Sequence, residues 1–312
     1  MASIADKKID QTPGSGKNLK PVKTIREWAE MIKIEHTVFA LPFALSGLVL
    51  ASGQPPTWLT VVYTILAFAG ARSAAMTLNR LIDFEIDGKN PRTMDRALPA
   101  GRIKKSTALL FTILSFALML GAASQLPPLC LMLSPIAVFW LSFYSYTKRF
   151  TYLCHIVLGI ALGGAALGGW IAAGGLLNEI APWLLAVAVC TWVAGFDIIY
   201  ASQDVEFDRN QSLHSMPSKF GIANALTISK SLHVLTSIFL LALGLTLHLN
   251  LFYWVGYVIV VSMLIYEHSL VKADDLSKVN AAFFTVNGIV SILAFIAILS
   301  DRLSFWTSIT IP

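Results

Sequence analysis

Nine runs of mostly apolar residues fill the chain from residue 37 onward, near 37–53, 58–79, 106–124, 128–146, 152–174, 181–201, 223–247, 251–270 and 281–299. A helix needs ~20 apolar residues at ~1.5 Å each to cross the ~30 Å hydrocarbon core of a bilayer. Within lipid every backbone N–H and C=O must find an internal partner, so runs of this length predict helices and not open sheets. The third and fourth runs are parted by Pro127 and Pro128. The pattern therefore predicts an all-α integral membrane protein, a bundle of nine transmembrane helices with helical loops. Ahead of the first run, Ile25 to Glu35 alternates apolar and charged residues at helical spacing. That predicts an amphipathic helix lying at the membrane surface. Residues 1–24 are polar, with Lys7, Lys8, Lys17 and Lys20 and a Gly14-Ser15-Gly16 step, and read as a disordered tail. No apolar stretch directly follows those early lysines, so the tail does not read as a signal peptide.

Composition agrees with lipid as the main solvent. The 312 residues are 56% apolar and 13% charged, with a mean hydropathy of +0.68, against roughly 45–50% and roughly 25% in a soluble domain. The net charge of +5 is a matter of placement. Arg80, Lys89, Arg92, Arg96, Arg102, Lys104 and Lys105 fall in the loop after the second run. Lys148 with Arg149, Arg209 with Lys219, and Lys272 with Lys278 fall on the same side. The opposite loops near 54–57, 125–127, 175–180 and 248–250 hold no Lys or Arg. This asymmetry puts the N-terminus and the basic loops in the cytoplasm, and it accounts for the charge without nucleic acid. Cys130, Cys154 and Cys190 lie inside apolar runs with no C-x-x-C spacing, so they read as buried thiols. Gly159, Gly163, Gly164, Gly168 and Gly169 in the fifth run allow close helix contact, or leave room for a long apolar ligand.

Two loops on the basic side carry the chemistry. One reads Asn79-Arg-Leu-Ile-Asp83-Phe-Glu-Ile-Asp87, the other Tyr200-Ala-Ser-Gln-Asp204-Val-Glu-Phe-Asp208, and each follows an even-numbered run. Acids four apart share a helix face, where like charges repel. Two such pairs at one membrane depth call for a cation, and hard oxygen ligands suit magnesium, which leaves coordination positions to water and substrate phosphate. The pattern fits two magnesium ions facing one diphosphate; the competing reading is two solvated acidic faces. Arg92, Arg96 and Lys148 stand nearby, and guanidinium groups bind phosphate oxygens in pairs. Arg72 lies seven residues, two helical turns, before Asn79. At that depth an arginine is costly unless functional, its other role being a partner for Asp197 or another buried acid. Metal and arginine together make diphosphate a good leaving group.

With Asn90-Pro91-Arg92-Thr93, Arg96, Glu35-His36-Thr37-Val38-Phe39-Ala40-Leu41-Pro42 and His214-Ser215-Met216-Pro217, these motifs resemble the UbiA superfamily of intramembrane prenyltransferases from about Ile25 onward, and its 4-hydroxybenzoate polyprenyltransferase branch in detail. The resemblance implies one prenyltransferase domain over 25–312, in a bacterial inner membrane, with a lateral opening to lipid. It implies that Asn79, Asp83 and Asp87 serve one metal and Asp204 and Asp208 the other. It implies that Arg72, Arg92, Arg96 and Lys148 hold the diphosphate of a polyprenyl donor. The expected reaction moves the prenyl group onto a ring carbon of a small aromatic acceptor through an allylic cation. Tyr144, Tyr146, Phe196 and Tyr200 are candidates to stabilise that cation, and Asp197 to orient the acceptor. 4-Hydroxybenzoate is the first acceptor choice and a menaquinone-pathway aromatic the second.

Other classes stay open. Arg72, Asp197 and Lys230 would line an ion path in a transporter, although the acids gather at one face instead of along a midplane path. A diphosphate hydrolase would use the same metals with no acceptor. His155, His233, His248 and His268 read as packing or interfacial residues, while His36 and His214 sit in motif-like contexts.

Overall fold

The computed structural model describes residues 21–33 and 37–310. Among them every regular element is a helix, and the one β contact is an isolated bridge between Lys272 and Asp275. A short helix α1 (Pro21–Met31) precedes α2 (Thr37–Ala51) and α3 (Trp58–Ile82). A six-residue α4 (Phe84–Lys89) leads through a basic loop to α5 (Lys105–Ala123) and α6 (Pro128–Thr147). After α7 (Cys154–Ala172) and α8 (Ala181–Ala201) come the short helices α9 (Val205–Asn210) and α10 (Met216–Phe220). The bundle ends with α11 (Ile222–Thr246), α12 (Leu251–Ser269), a π-helical turn at Ala281–Val286 and α13 (Asn287–Thr310). Each of the nine apolar runs falls on a helix; eight of those helices are long and apolar enough to span a membrane, and α2 is shorter. The chain is a multi-pass integral membrane protein.

Pro128 opens α6, where a proline costs no hydrogen bond, and Pro127 stands before it, so the split between the third and fourth runs is real. The central member is α8, with 67% of its apolar window buried against 11–39% in the others. It packs between α7 and α11, while α2 fills the angle between α7 and α13. Gly159 and Gly163 of α7 meet the carbonyls of Cys190 and Ala186 on α8, and Gly169 meets Ala44 on α2. A side chain at those points would collide with backbone, so these glycines set the helix spacing. Gly164 and Gly168 face open space.

Helix α1 begins at Pro21, four residues ahead of the expected start, and the C-terminal part of its apolar face packs on protein, while Ile25 stays exposed. Trp28 donates to Thr77 Oγ1 at 2.9 Å and sits 4.8 Å from the Phe111 ring. Met31 and Ile32 pack with Ala97, Leu98, Ile103 and Ala108. Glu35, His36 and residues 1–20 lie outside the described residues.

Candidate active site

Both acidic motifs are built by the same local device. Asp83 stands between α3 and α4 with φ −89° and ψ 7°. Asp204, closing a 3₁₀ turn after α8, stands before α9 with φ −103° and ψ 8°. Each first aspartate therefore sits at a junction of the sparsely populated bridge region between a long membrane helix and a six-residue one. The helical hydrogen-bond spacing nevertheless continues through the first junction. The Asp83 N–H reaches Asn79 O at 2.9 Å, and the Asp87 N–H reaches Asp83 O at 2.7 Å. At the first motif the acids thus keep the helical spacing that the sequence predicts.

The motifs meet at one end of the bundle. The Asn90 side-chain amide donates to Asp204 Oδ1 at 3.3 Å. Arg92 lays its guanidinium on both oxygens of Asp204, with Nε to Oδ1 at 2.9 Å, and donates from Nη1 to Tyr200 Oη at 2.9 Å. Burial works against the charge of Arg92, but the Asp204 hydrogen bond and charge outweigh it and hold its pKa above the usual guanidinium range. Asp87, 5% exposed, takes Arg96 Nη1 on both oxygens at 2.8 Å, with Arg80 at 3.6 Å. Burial and the positive charge of Arg80 hold the Arg96 pKa below its ordinary value despite Asp87. Asp83, 1% exposed, accepts from Lys148 Nζ at 2.6 Å, Arg149 at 3.0 Å and Asn79 at 3.2 Å. Asp208 accepts from the Ser215 hydroxyl at 2.8 Å, beside the capping box of α10.

Two of these cations, Arg80 and Arg149, read from the sequence only as topology charges. Arg80 lies two helical turns before Asp87, which is the signal that was available. Arg72 is half-buried on α3, within electrostatic reach of Tyr144, whose hydroxyl lies 3.5 Å from Ala75 O. The Asp197 carboxylate pairs with His155 Nδ1 at 2.6 Å. His155 is buried and held by that pair, and His233, also buried, bonds the partly buried His268 at 3.0 Å, so these histidines sit in the packing with polar partners of their own.

The aromatic candidates separate. Tyr200 stacks on Phe283 at 4.1 Å and meets Phe284 edge-on, both from the π-helical turn. Phe196 is buried against Trp192 and Phe283. Tyr146 is exposed, with Arg149 over its ring. Phe283 was invisible to motif reading, because nothing in a π-helical turn announces itself in sequence.

The donor set fits magnesium: carboxylates and one amide oxygen, all hard ligands. Among the described residues no three His, Cys, Asp or Glu side chains gather into a metal cage. Magnesium suits such a site, because it is usually held by one or two carboxylates and completes its shell with water and substrate phosphate.

Residues 40–297 match the UbiA prenyltransferase family. The chain belongs to the UbiA prenyltransferase family. Among its UbiA relatives, 4-hydroxybenzoate octaprenyltransferase of Aliivibrio salmonicida is 34% identical over 81% of this chain and 88% of its own length. The enzyme of the same name from Marinomonas is 29% identical over 84% of this chain and 93% of its own. The apo structure of a UbiA homolog from Aeropyrum pernix superposes with a TM-score of 0.80 at 33% identity, covering 86% of this chain and 98% of that one. A UbiA homolog from Archaeoglobus fulgidus, solved bound to GPP and Mg2+, shares the fold with a TM-score of 0.70 at 21% identity, covering 88% and 99% of the two chains.

Proposed function

We propose that this UbiA enzyme transfers a polyprenyl group from polyprenyl diphosphate to a ring carbon of 4-hydroxybenzoate, releasing diphosphate, as a step of quinone biosynthesis. The observation that carries the reading is the bridge of Asn90 and Arg92, from the first motif's loop, onto Asp204 of the second. It brings the two acidic motifs together, with a basic rim of the sign a diphosphate needs. The relatives' names favour 4-hydroxybenzoate as acceptor. We take residues 25–312 as a single catalytic domain in a bacterial inner membrane, its N-terminus and motif end cytoplasmic.

In this reading Asn79, Asp83 and Asp87 hold one magnesium ion and Asp204 and Asp208 another. Bound there, magnesium neutralises the diphosphate and improves it as a leaving group. Arg72, Arg92, Arg96 and Lys148, joined by Arg80 and Arg149, donate to the phosphate oxygens and orient the donor. Loss of diphosphate leaves an allylic cation on the prenyl chain. The faces of Tyr200 and Tyr144 contribute ~0.5–2 kcal/mol each to its stability. The electron-rich acceptor ring attacks, and loss of a ring proton restores aromaticity.

The test is transfer by the purified protein in lipid, with radiolabelled 4-hydroxybenzoate, a polyprenyl diphosphate, and magnesium supplied or chelated. A prenylated ring product that requires magnesium supports the reading. Magnesium-dependent diphosphate binding without product moves the acceptor to a menaquinone-pathway aromatic. Release of a polyprenol without an acceptor makes the protein a hydrolase.

A further inference from the structure

Helix α8 is closed on almost every side. Between Thr191 and Ile199 each of its residues is buried except Asp197, whose side chain keeps 25% of its surface accessible. Asp197 stands three residues before Tyr200 and seven before Asp204, so the three share one helix face. That face is the site face, since Arg92 joins Tyr200 to Asp204 on it. Asp197 is thus a fifth carboxylate in the site, two helical turns or about 10 Å deeper than the motif acids. That separation is about the span of the reacting carbon and one aromatic ring.

Its partner differs from those of Asp83, Asp87 and Asp204, which face lysine or arginine. Asp197 Oδ2 lies 2.6 Å from Nδ1 of His155, a side chain with 2% exposure. The other ring nitrogen, Nε2, accepts the Met216 backbone N–H at 3.3 Å, at the start of α10. A nitrogen that accepts an amide N–H carries no proton, so the ring is neutral and its one proton sits on Nδ1, donated to Asp197. The Met216 amide therefore fixes the tautomer. The same turn fixes the second motif, because its capping residue Ser215 donates to Asp208. Oδ1 of Asp197 meets no donor among the described residues.

We infer that Asp197 takes the ring proton of the acceptor in the last step of transfer, and that His155 is the positioning residue that aims it. The inference rests on the aromatic-transfer reading above. As the ring C–H bond breaks, its electron pair returns to the ring and cancels the positive charge left by the attack. The proton moves to Oδ1, Asp197 becomes a neutral carboxyl, and the proton passes to water when product leaves. His155 stays neutral throughout, so no second base is needed.

The experiment compares wild type with Asp197→Asn, His155→Leu and His155→Gln, each in lipid. The acceptor is 4-hydroxybenzoate carrying hydrogen or deuterium at the ring positions beside its hydroxyl. Thermal unfolding and magnesium-dependent binding of the polyprenyl diphosphate report whether each variant folds and holds its donor. D197N is expected to bind donor as the wild type does, to lose roughly 100-fold or more in kcat, and to show a larger ring-deuterium isotope effect. H155L is expected to follow it in direction. H155Q supplies one N–H donor and one oxygen acceptor in place of the two ring nitrogens, and is expected to recover most of the rate and the wild-type isotope effect. A D197N enzyme with unchanged isotope effect and rate overturns the inference alone, and leaves the departing diphosphate as the base. No product from wild type overturns the acceptor reading and this inference with it.

Discussion

Arg92 and Asp204, 112 positions apart in the chain, form a forked ion pair that ties the loop of the first acidic motif to the end of α8. Arginine's planar fork meets both carboxylate oxygens and still reaches Tyr200, which the single ammonium of lysine cannot do. Arg92→Lys should therefore behave nearly as badly as Arg92→Ala. Both are expected to lose at least about tenfold in kcat/KM for the prenyl diphosphate, equal to ~1.4 kcal/mol of transition-state binding. Steady-state kinetics with varied donor checks this, and an R92K enzyme at wild-type efficiency would rule out the forked role.

Asp83 is almost wholly enclosed, with Lys148 and Arg149 upon it. Asp83→Ala should abolish magnesium-dependent transfer and also leave two cations facing each other. Breaking a buried pair costs up to ~3–5 kcal/mol. Both bases are about a third exposed, so about 1–3 kcal/mol of destabilisation is expected. The melting temperature of the purified protein reads that loss separately from activity. Asp204→Ala should likewise remove activity. Retained magnesium-dependent transfer in either variant would sink the two-metal arrangement.

The fifth-run glycines predict a contrast. Gly159→Val pushes a side chain into the Cys190 carbonyl on α8 and should cost about 1–3 kcal/mol, because overpacking at a close helix contact forces the backbone apart. Gly164→Ala, facing open space on the same helix, should be neutral or slightly stabilising. Parallel thermal denaturation in detergent tests the pair, and equal effects would contradict the packing.

Asn287 holds the π-helical turn. Its amide donates to Glu267 Oε1 at 2.7 Å and to Ala282 O at 3.0 Å, so it closes the turn that carries Phe283 against Tyr200. Asn287→Leu leaves a buried carboxyl without that donor and should cost about 1–3 kcal/mol. If the turn positions the aromatic pair, kcat should fall more than KM for the donor changes. An altered stability with unchanged kcat would make the turn purely structural.

The sequence carried the membrane helices because the solvent dictates them: in hydrocarbon a long apolar run has one way to satisfy its backbone. The two motifs were legible because both carry the same four-residue spacing and stand at corresponding ends of two helices. What stayed hidden depends on contacts between distant segments. His155 meets Asp197 across 42 positions, and Arg149 meets Asp83 across 66. The breaks at Asp83 and Asp204 also escaped notice, since neither a proline nor a glycine marks either junction. The amphipathic spacing of α1 was legible too, but not that Met31 and Ile32 pack on Ala97, Leu98 and Ile103, a contact between distant segments.

The matching junctions at Asp83 and Asp204 bear on how the site tells one end of its substrate from the other. A diphosphate is close to twofold symmetric, two phosphoryl groups about one bridging oxygen, and two equal hinges offer it two equal seats. Equal seats alone would bind the group either way round and leave the prenyl chain pointing in or out at random. In the proposed reaction the direction would come from what differs beside the junctions: Lys148 and Arg149 at Asp83, Asn90, Arg92 and the ring of Tyr200 at Asp204. The aromatic side of that contrast is where a carbon chain belongs. Duplication thus supplies the grip, and the unlike neighbours supply the polarity.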